Sequence, residues 1–169
     1  MKENVLDVLI YLFDNYMDDE GDIEPDRDNL MEELEQAGFR QGEIQKALVW
    51  LDDLATRRQE VEATSAQADS RGYSGLVKLS AIRLYAPEEM QRLDVQSRGF
   101  LLDLEQKGIL TPLHREVIID RVMALESDEV DLDQVKWVVL MVLFNMPGQE
   151  ASFAWVEDLV FENFVGSIH

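Results

Sequence analysis

The residues of this chain best suited to chemistry form an acidic run, Asp18-Asp19-Glu20-Gly21-Asp22. Hard cations such as Ca²⁺ prefer clustered carboxylate oxygens, and an EF-hand loop arranges such ligands around a central glycine. With Gly21 as that glycine, the first ligand position falls on Tyr16 and the position of the bidentate glutamate falls on Arg27. Neither residue type suits its position. We therefore interpret the run as a solvated acidic turn that binds divalent ions at most adventitiously, and we predict no metal site.

Residues for catalysis or zinc binding are scarce. The chain has no cysteine and two histidines, His114 and His169, and neither has a second histidine at the spacing of a zinc pair. The serine in residues 72–75 lacks the strand-to-helix elbow of a hydrolase. Adjacent carboxylates such as Asp52-Asp53 and Glu88-Glu89 diverge on a helix instead of converging on a substrate. We predict that the protein is not an enzyme and needs no cofactor.

The chain is strongly acidic, with 35 aspartates and glutamates against 15 lysines and arginines and a formal net charge of −20. Such a charge opposes direct binding to the phosphates of a nucleic acid. The acidity is uneven, because residues 1–56 hold 16 acids and 4 bases while residues 57–107 hold eight of each. An acidic partner would therefore find its contacts in the central region, and a basic partner in the acidic region from Asp18 to Glu35.

The N-terminal third predicts three helices. Val5, Leu9, Leu12 and Tyr16 recur at helical spacing, and a second helix is predicted from Pro25 or Asp26 to a C-capping glycine at position 38. A third helix carries an apolar face formed by six residues, Ile44, Ala47, Leu48, Leu51, Leu54 and Ala55. We interpret residues 1–56 as a helix-turn-helix-like lobe of three helices. A strand at residues 81–85 would add a wing to this lobe.

Residues 57–80 separate this lobe from the rest of the chain. The stretch is rich in serine, alanine, glutamine and glycine and has no sustained apolar period. This composition is typical of a flexible linker or an insertion. We therefore predict that these residues form no part of either helical region.

Residues 81–169 predict a short strand followed by a helical bundle packed on the first lobe. One helix is expected from Pro87 to Lys107 with Gly108 as its cap, and another begins at Thr111-Pro112 and runs to about Leu125. Residues 137–144 are apolar on every side and fit either a buried strand or a buried helix. The N-cap candidate Asp131 before them favours a central buried helix, and a final helix carries Phe153, Val156, Val160 and Phe164. The expected fold is mainly α, a compact multi-helix protein.

The location follows from three weak signals. The N-terminus lacks the basic flank and long apolar run of a signal peptide. The longest apolar run has eight residues, from Trp137 to Phe144, against the ~20 that span a bilayer. The absence of cysteine fits a reducing compartment. We expect a cytoplasmic protein with no membrane contact.

Five segments also carry a resemblance to a known family, namely residues 5–13, 47–54, 83–94, 98–105 and 132–148. They resemble the Smg family, a set of bacterial proteins of unknown function. The resemblance implies a cytoplasmic bacterial protein without an established activity, in a nucleic-acid-processing context. Residues 58–79 depart from it, since they look longer and less similar than the usual family connection.

Three hypotheses for function remain. The first is a non-enzymatic adaptor or regulator that acts through contacts with an unknown protein partner. The second is a nucleic-acid-associated regulator that uses the helix-turn-helix-like lobe, although we expect no direct DNA binding. The third is an acidic mimic of DNA that occupies a basic protein. Trp50 falls at the margin of its helix's apolar face, where a binding residue would be half-exposed, and it fits a core role and an interface role about equally. The full set of candidate partner-binding residues is Trp50, Asp18, Asp19, Glu20, Asp22, Arg83, Arg92 and Arg98.

Overall fold

The computed structural model describes residues 4–16, 27–70, 84–125, 129–146 and 150–166. Over these ranges the protein is mainly helical, which confirms the predicted fold class at this level. The β structure within the same ranges is an isolated bridge between Leu93 and Val130. The helices are α1 (Val5–Tyr16), α2 (Arg27–Gln36), α3 (Gln41–Ser70), α4 (Pro87–Arg92), α5 (Val95–Gln106), α6 (Pro112–Met123), α7 (Leu132–Asn145) and α8 (Glu150–Gly166).

The chain forms two compact units. The first comprises Met1–Asp53 with Ala124–Glu126, and the second comprises Leu54–Met123 with Ser127–His169. Helix α3 contributes its first turns to one unit and its remaining turns to the other. The predicted domain boundaries, which divide the chain into residues 1–56, 57–80 and 81–169, stay a prediction.

Helices α1 and α2 follow the sequence pattern closely. The apolar stripe predicted for α1 is buried at Val5, Leu9 and Leu12. Helix α2 ends in a Schellman motif, in which Gly38 adopts a φ of +100° and the amide of Phe39 donates to the carbonyl of Leu34 at 3.1 Å. Only glycine adopts this left-handed conformation without a steric cost, so the predicted C-cap is confirmed.

Helix α3 corrects the prediction for the linker. It continues to Ser70, so residues 57–70, predicted as flexible, are helical. A helix that is solvated on most sides shows no apolar period, whereas alanine, glutamine, glutamate and arginine all favour the helical state. Ion pairs at helical spacing add to this preference, between Arg57 and Glu60 at 3.0 Å and between Arg58 and Glu62 at 3.2 Å. Residues 71–80 lie outside the described ranges.

The strand predicted for residues 81–85 is not formed at its last two positions, because Leu84 and Tyr85 lack regular secondary structure. Residues 81–83 lie outside the described ranges.

The helix predicted from Pro87 to Lys107 is broken into α4 and α5. Leu93 adopts an extended conformation and is buried, and the carboxylate of Asp94 accepts a hydrogen bond from the amide of Ser97 at 2.7 Å. Asp94 is therefore the N-cap of a new helix. The amide of Val130 donates to the carbonyl of Arg92 at 3.1 Å, so the break also pairs two distant parts of the second unit. Gly108, with a φ of +76°, ends α5 as predicted.

The caps and the core of the remaining helices agree with the sequence pattern. Thr111 Oγ1 accepts from the amide of His114 at 3.2 Å, and Asp131 forms a reciprocal capping box with Gln134. Residues 138–143 are all buried, so the apolar stretch forms the predicted central helix. Helix α7 packs against α5, α6 and α8 in the second unit. Within the described ranges, no helix combines the length and the apolar character needed to cross a bilayer.

Candidate functional site

Five of the candidate partner-binding residues cannot be placed. Asp18, Asp19, Glu20, Asp22 and Arg83 lie outside the residues that the structure describes. Their proposed role in binding stays a prediction.

Trp50 is buried, with 3% of its surface exposed. Of the two roles that the sequence leaves open, the structure favours the core role, because Trp50 is buried on α3 as Ala47 and Leu54 are. An indole in this state contributes packing and offers almost no surface to a partner.

Arg92 and Arg98 make contacts within the protein. Arg92 Nη1 donates to the carbonyl of Met123, the last residue of α6. The negative end of the helix dipole also stabilises a cation at this position. The guanidinium of Arg98 lies 5.8 Å from the ring centre of Tyr85, and its Nε donates to the carbonyl of Asp94 at 3.4 Å. Both arginines therefore position elements of the second unit.

Among the described residues, a groove between α3 and α6 in the second unit offers a candidate binding surface. Its volume is about 360 Å³. Each helix contributes four side chains at positions i, i+3, i+4 and i+7, so one continuous face of each helix forms a wall. The lining residues are Arg57, Glu60, Val61 and Thr64 from α3 and Leu113, Glu116, Val117 and Asp120 from α6.

Arg57 joins the two walls of this α3–α6 groove. Its Nη1 donates to Glu60 Oε2 at 3.0 Å on its own helix, and its Nε lies 3.4 Å from Asp120 Oδ2 on the other. The hydrogen bond with Glu60 and the nearby charge of Asp120 raise the pKa of Arg57 above its usual value. The side chain of Arg57 is 45% exposed, so these ion pairs add little to the free energy of unfolding. Their main effect is to orient the charged side chains of the groove.

Two further arginines, both on α6, pair with carboxylates of the α6 wall. Arg115 Nη1 donates to both carboxylate oxygens of Glu105 at 2.8 Å, and its Nη2 lies 3.0 Å from Glu116. Burial alone would lower the pKa of Arg115, but its hydrogen bonds with the two glutamates outweigh burial and raise it. Arg121 Nη2 donates to Asp120 at 2.8 Å. The carboxylates of the α6 wall are thereby held in fixed orientations.

His114 is buried on α6, although it is not part of the groove lining. Burial lowers the pKa of His114, because it disfavours the charged imidazolium. Its Nδ1 has no hydrogen-bond partner among the described residues. The residue fits the structural role predicted for it.

The composition of residues 57–70 is typical of a linker, so it gives no indication of the groove. The signal was nevertheless present, since Leu113, Glu116, Val117 and Asp120 repeat the helical spacing of residues 57–64. Recognising that spacing on α3 required the stretch to be interpreted as a helix.

The structure thus defines a mainly helical protein with a polar-rimmed groove between two helices. A family model described as "Protein of unknown function (DUF494)" matches residues 5–169. The chain belongs to this family, whose similar curated members carry the name "Protein Smg homolog", and the predicted resemblance to the Smg family is confirmed.

Three such relatives illustrate the similarity. The protein of Alkalilimnicola ehrlichii is 52% identical and that of Nitrosococcus oceani is 50% identical, each over the full length of both chains. The protein of Thioalkalivibrio sulfidiphilus is 48% identical over 96% of each chain. End-to-end matches to the first two do not support the expectation that residues 58–79 are longer than in the family. No solved structure matches this chain.

Proposed function

We propose that this chain is a non-enzymatic adaptor or regulator that binds a partner protein through the α3–α6 groove, in the cytoplasm. The observation that carries the proposal is the combination of an apolar floor and a charged rim in one open surface. Val61, Val117 and Leu113 are the apolar lining residues, and Leu113 is 42% exposed. Protein interfaces combine an apolar centre with a polar periphery in the same way.

The groove is lined by regular helix on both sides, which favours recognition of a partner segment. Its walls are helices, and its charged side chains are held by ion pairs on both walls. A preformed surface loses little conformational entropy when a partner binds. This arrangement supports selective binding of a protein segment.

Site-specific photo-crosslinking in bacterial cells tests this proposal. A photoreactive amino acid replaces Leu113 in the groove, and a matched variant carries it at Leu102, which is 44% exposed on α5. We expect a discrete crosslinked protein species from position 113 and none from position 102. Equal crosslinking from both positions, or none from position 113, contradicts the proposal.

A second candidate is a nucleic-acid-associated regulator that uses α2 and α3 as a helix-turn-helix-like pair. The four-residue connection between these helices, turned by Gly38, supports this hypothesis. The exposed carboxylates of Asp52 and Asp53 on α3 oppose contact with phosphates. A retarded band with duplex DNA at low salt would favour direct binding. Competition between this chain and DNA for a basic protein would instead favour the acidic mimic.

A further inference from the structure

We propose that the occupant of the α3–α6 groove is a basic amphipathic segment of a partner protein, with lysine or arginine on both sides of an apolar side chain. This inference rests on the proposed protein-binding function and specifies its ligand. It is drawn from the charges of the groove, from their exposure and from their positions on the two walls.

The charge of the groove favours a cationic occupant. Its lining contains one guanidinium, that of Arg57, and three carboxylates, a net formal charge of −2. Arg57 already lies against two of these carboxylates, at 3.0 Å from Glu60 and 3.4 Å from Asp120. Arg115 and Arg121, outside the lining, pair with Glu116 at 3.0 Å and with Asp120 at 2.8 Å. The lining itself still carries more carboxylates than cations, so an acidic occupant would meet net repulsion.

Differences in exposure strengthen the negative field on the solvent side. The side chains of Glu60, Glu116 and Asp120 are 59%, 47% and 38% exposed, and Arg57 in the same lining is 45% exposed. The arginines that pair with Glu116 and Asp120 on α6, Arg115 and Arg121, are only 13% and 6% exposed. An approaching segment therefore meets three exposed carboxylates and one exposed guanidinium. Interactions at such a rim steer association and determine which partners are accepted.

The positions of the carboxylates specify the spacing of the ligand. Glu60 lies on the α3 wall and Glu116 lies on the α6 wall, with Val61 and Val117 as their neighbours in the lining. A segment seated between the walls can therefore direct an apolar side chain to the floor and basic side chains to either side. An amphipathic helix carries these two kinds of residue on adjacent faces.

Binding of two labelled synthetic peptides tests the inference. One is a short amphipathic peptide of leucine and lysine at helical spacing, and the other has glutamate in place of lysine. Fluorescence anisotropy with the full chain is expected to show saturable binding of the lysine peptide and none of the glutamate peptide. Failure of the lysine peptide to bind overturns the inference.

Two matched pairs of variants locate the binding. The double variant Glu60→Gln/Glu116→Gln should weaken binding about tenfold, as expected for the loss of two exposed ion pairs. The control Glu62→Gln/Glu88→Gln makes the same change in net charge outside the groove and should stay within about twofold of the unchanged protein. Likewise, Leu113→Ala should weaken binding about fivefold, whereas Leu102→Ala should leave it unchanged. Thermal unfolding of each variant verifies that the fold is retained.

If Glu60→Gln/Glu116→Gln and Glu62→Gln/Glu88→Gln weaken peptide binding equally, the inference is overturned. Such a result would indicate general attraction of the peptide to an acidic protein. Concentration-dependent dimerisation lost in Leu113→Ala would also overturn the inference, since it would identify a second copy as the occupant. Crosslinking from position 113 without binding of the lysine peptide would leave the proposed function standing and reject the basic ligand. If position 113 gives no crosslink and the lysine peptide does not bind, both the proposed function and the basic ligand are rejected.

Discussion

Arg115 on α6 binds Glu105 on α5 through two hydrogen bonds of 2.8 Å from a single guanidinium nitrogen, Nη1. Both side chains are largely buried, with 13% and 17% of their surface exposed. The pair joins two helices of the second unit close to the turn at Gly108.

Replacing Arg115 with alanine should therefore lower the free energy of unfolding by about 2 kcal/mol, because Glu105 is left partly buried without its cation. Urea denaturation at neutral pH measures this change. Asp103→Ala serves as a control, since its ion pair with Lys107 is about half-exposed and should contribute less than about 1 kcal/mol. A similar loss in both variants would contradict the special role of the buried pair.

Asp94→Ala should destabilise the protein by about 1 kcal/mol at neutral pH, because it removes the N-cap of α5. The hydrogen bond from the amide of Ser97 lowers the pKa of Asp94 below its ordinary value of 3.8. A carboxylate with a lowered pKa in the folded state stabilises the protein above its ordinary pKa, and this contribution is lost as the pH falls through the folded-state pKa. The difference in unfolding free energy between the original chain and the variant should thus shrink below pH 3.8. A difference that does not depend on pH would contradict the role of the charged cap.

Burial of His114 should make the protein less stable as the solution becomes mildly acidic. The pKa of His114 lies below its ordinary value of 6.5, so the unfolded chain takes up a proton more readily than the folded one. Stability should therefore fall as the pH decreases through 6.5 and level off below the folded-state pKa. Urea denaturation at about pH 7.5 and about pH 5.5 should show a smaller loss for His114→Gln than for the original chain. Equal losses would mean that His114 does not cause the effect.

Ala63→Gly should lower the unfolding free energy by about 1 kcal/mol if residues 57–70 are helical in solution. Ala63 is exposed, so the change acts mainly through the helix backbone and removes little packing. Ala63→Gln provides the control, because glutamine favours helices nearly as well as alanine. Circular dichroism during urea denaturation measures both variants. No effect of the glycine variant would support the flexible linker predicted from composition.

The candidate site could be predicted only in part. The helical spacing of Leu113, Glu116 and Val117 indicates the α6 wall. The α3 wall lies in residues 57–64, whose composition is typical of a linker. Trp50 was assigned to a helix margin because helical periodicity locates a face but does not report how deeply other elements cover it. The contact of Arg57 with Asp120 spans 63 positions in the chain, and no local pattern encodes such a distance.

Local sequence determined four of the helix ends in the described part of the chain. Gly38 and Gly108 terminate helices because they adopt positive φ, and Thr111 and Asp131 begin helices because their side chains accept hydrogen bonds from backbone amides. These interactions act within a few residues, so the capping residues can be recognised from a single sequence. The tertiary structure decided the break at Leu93, the burial of Trp50 and the pairing of α3 with α6. These features depend on contacts between residues far apart in the chain, and their energies exist only once the helices have packed.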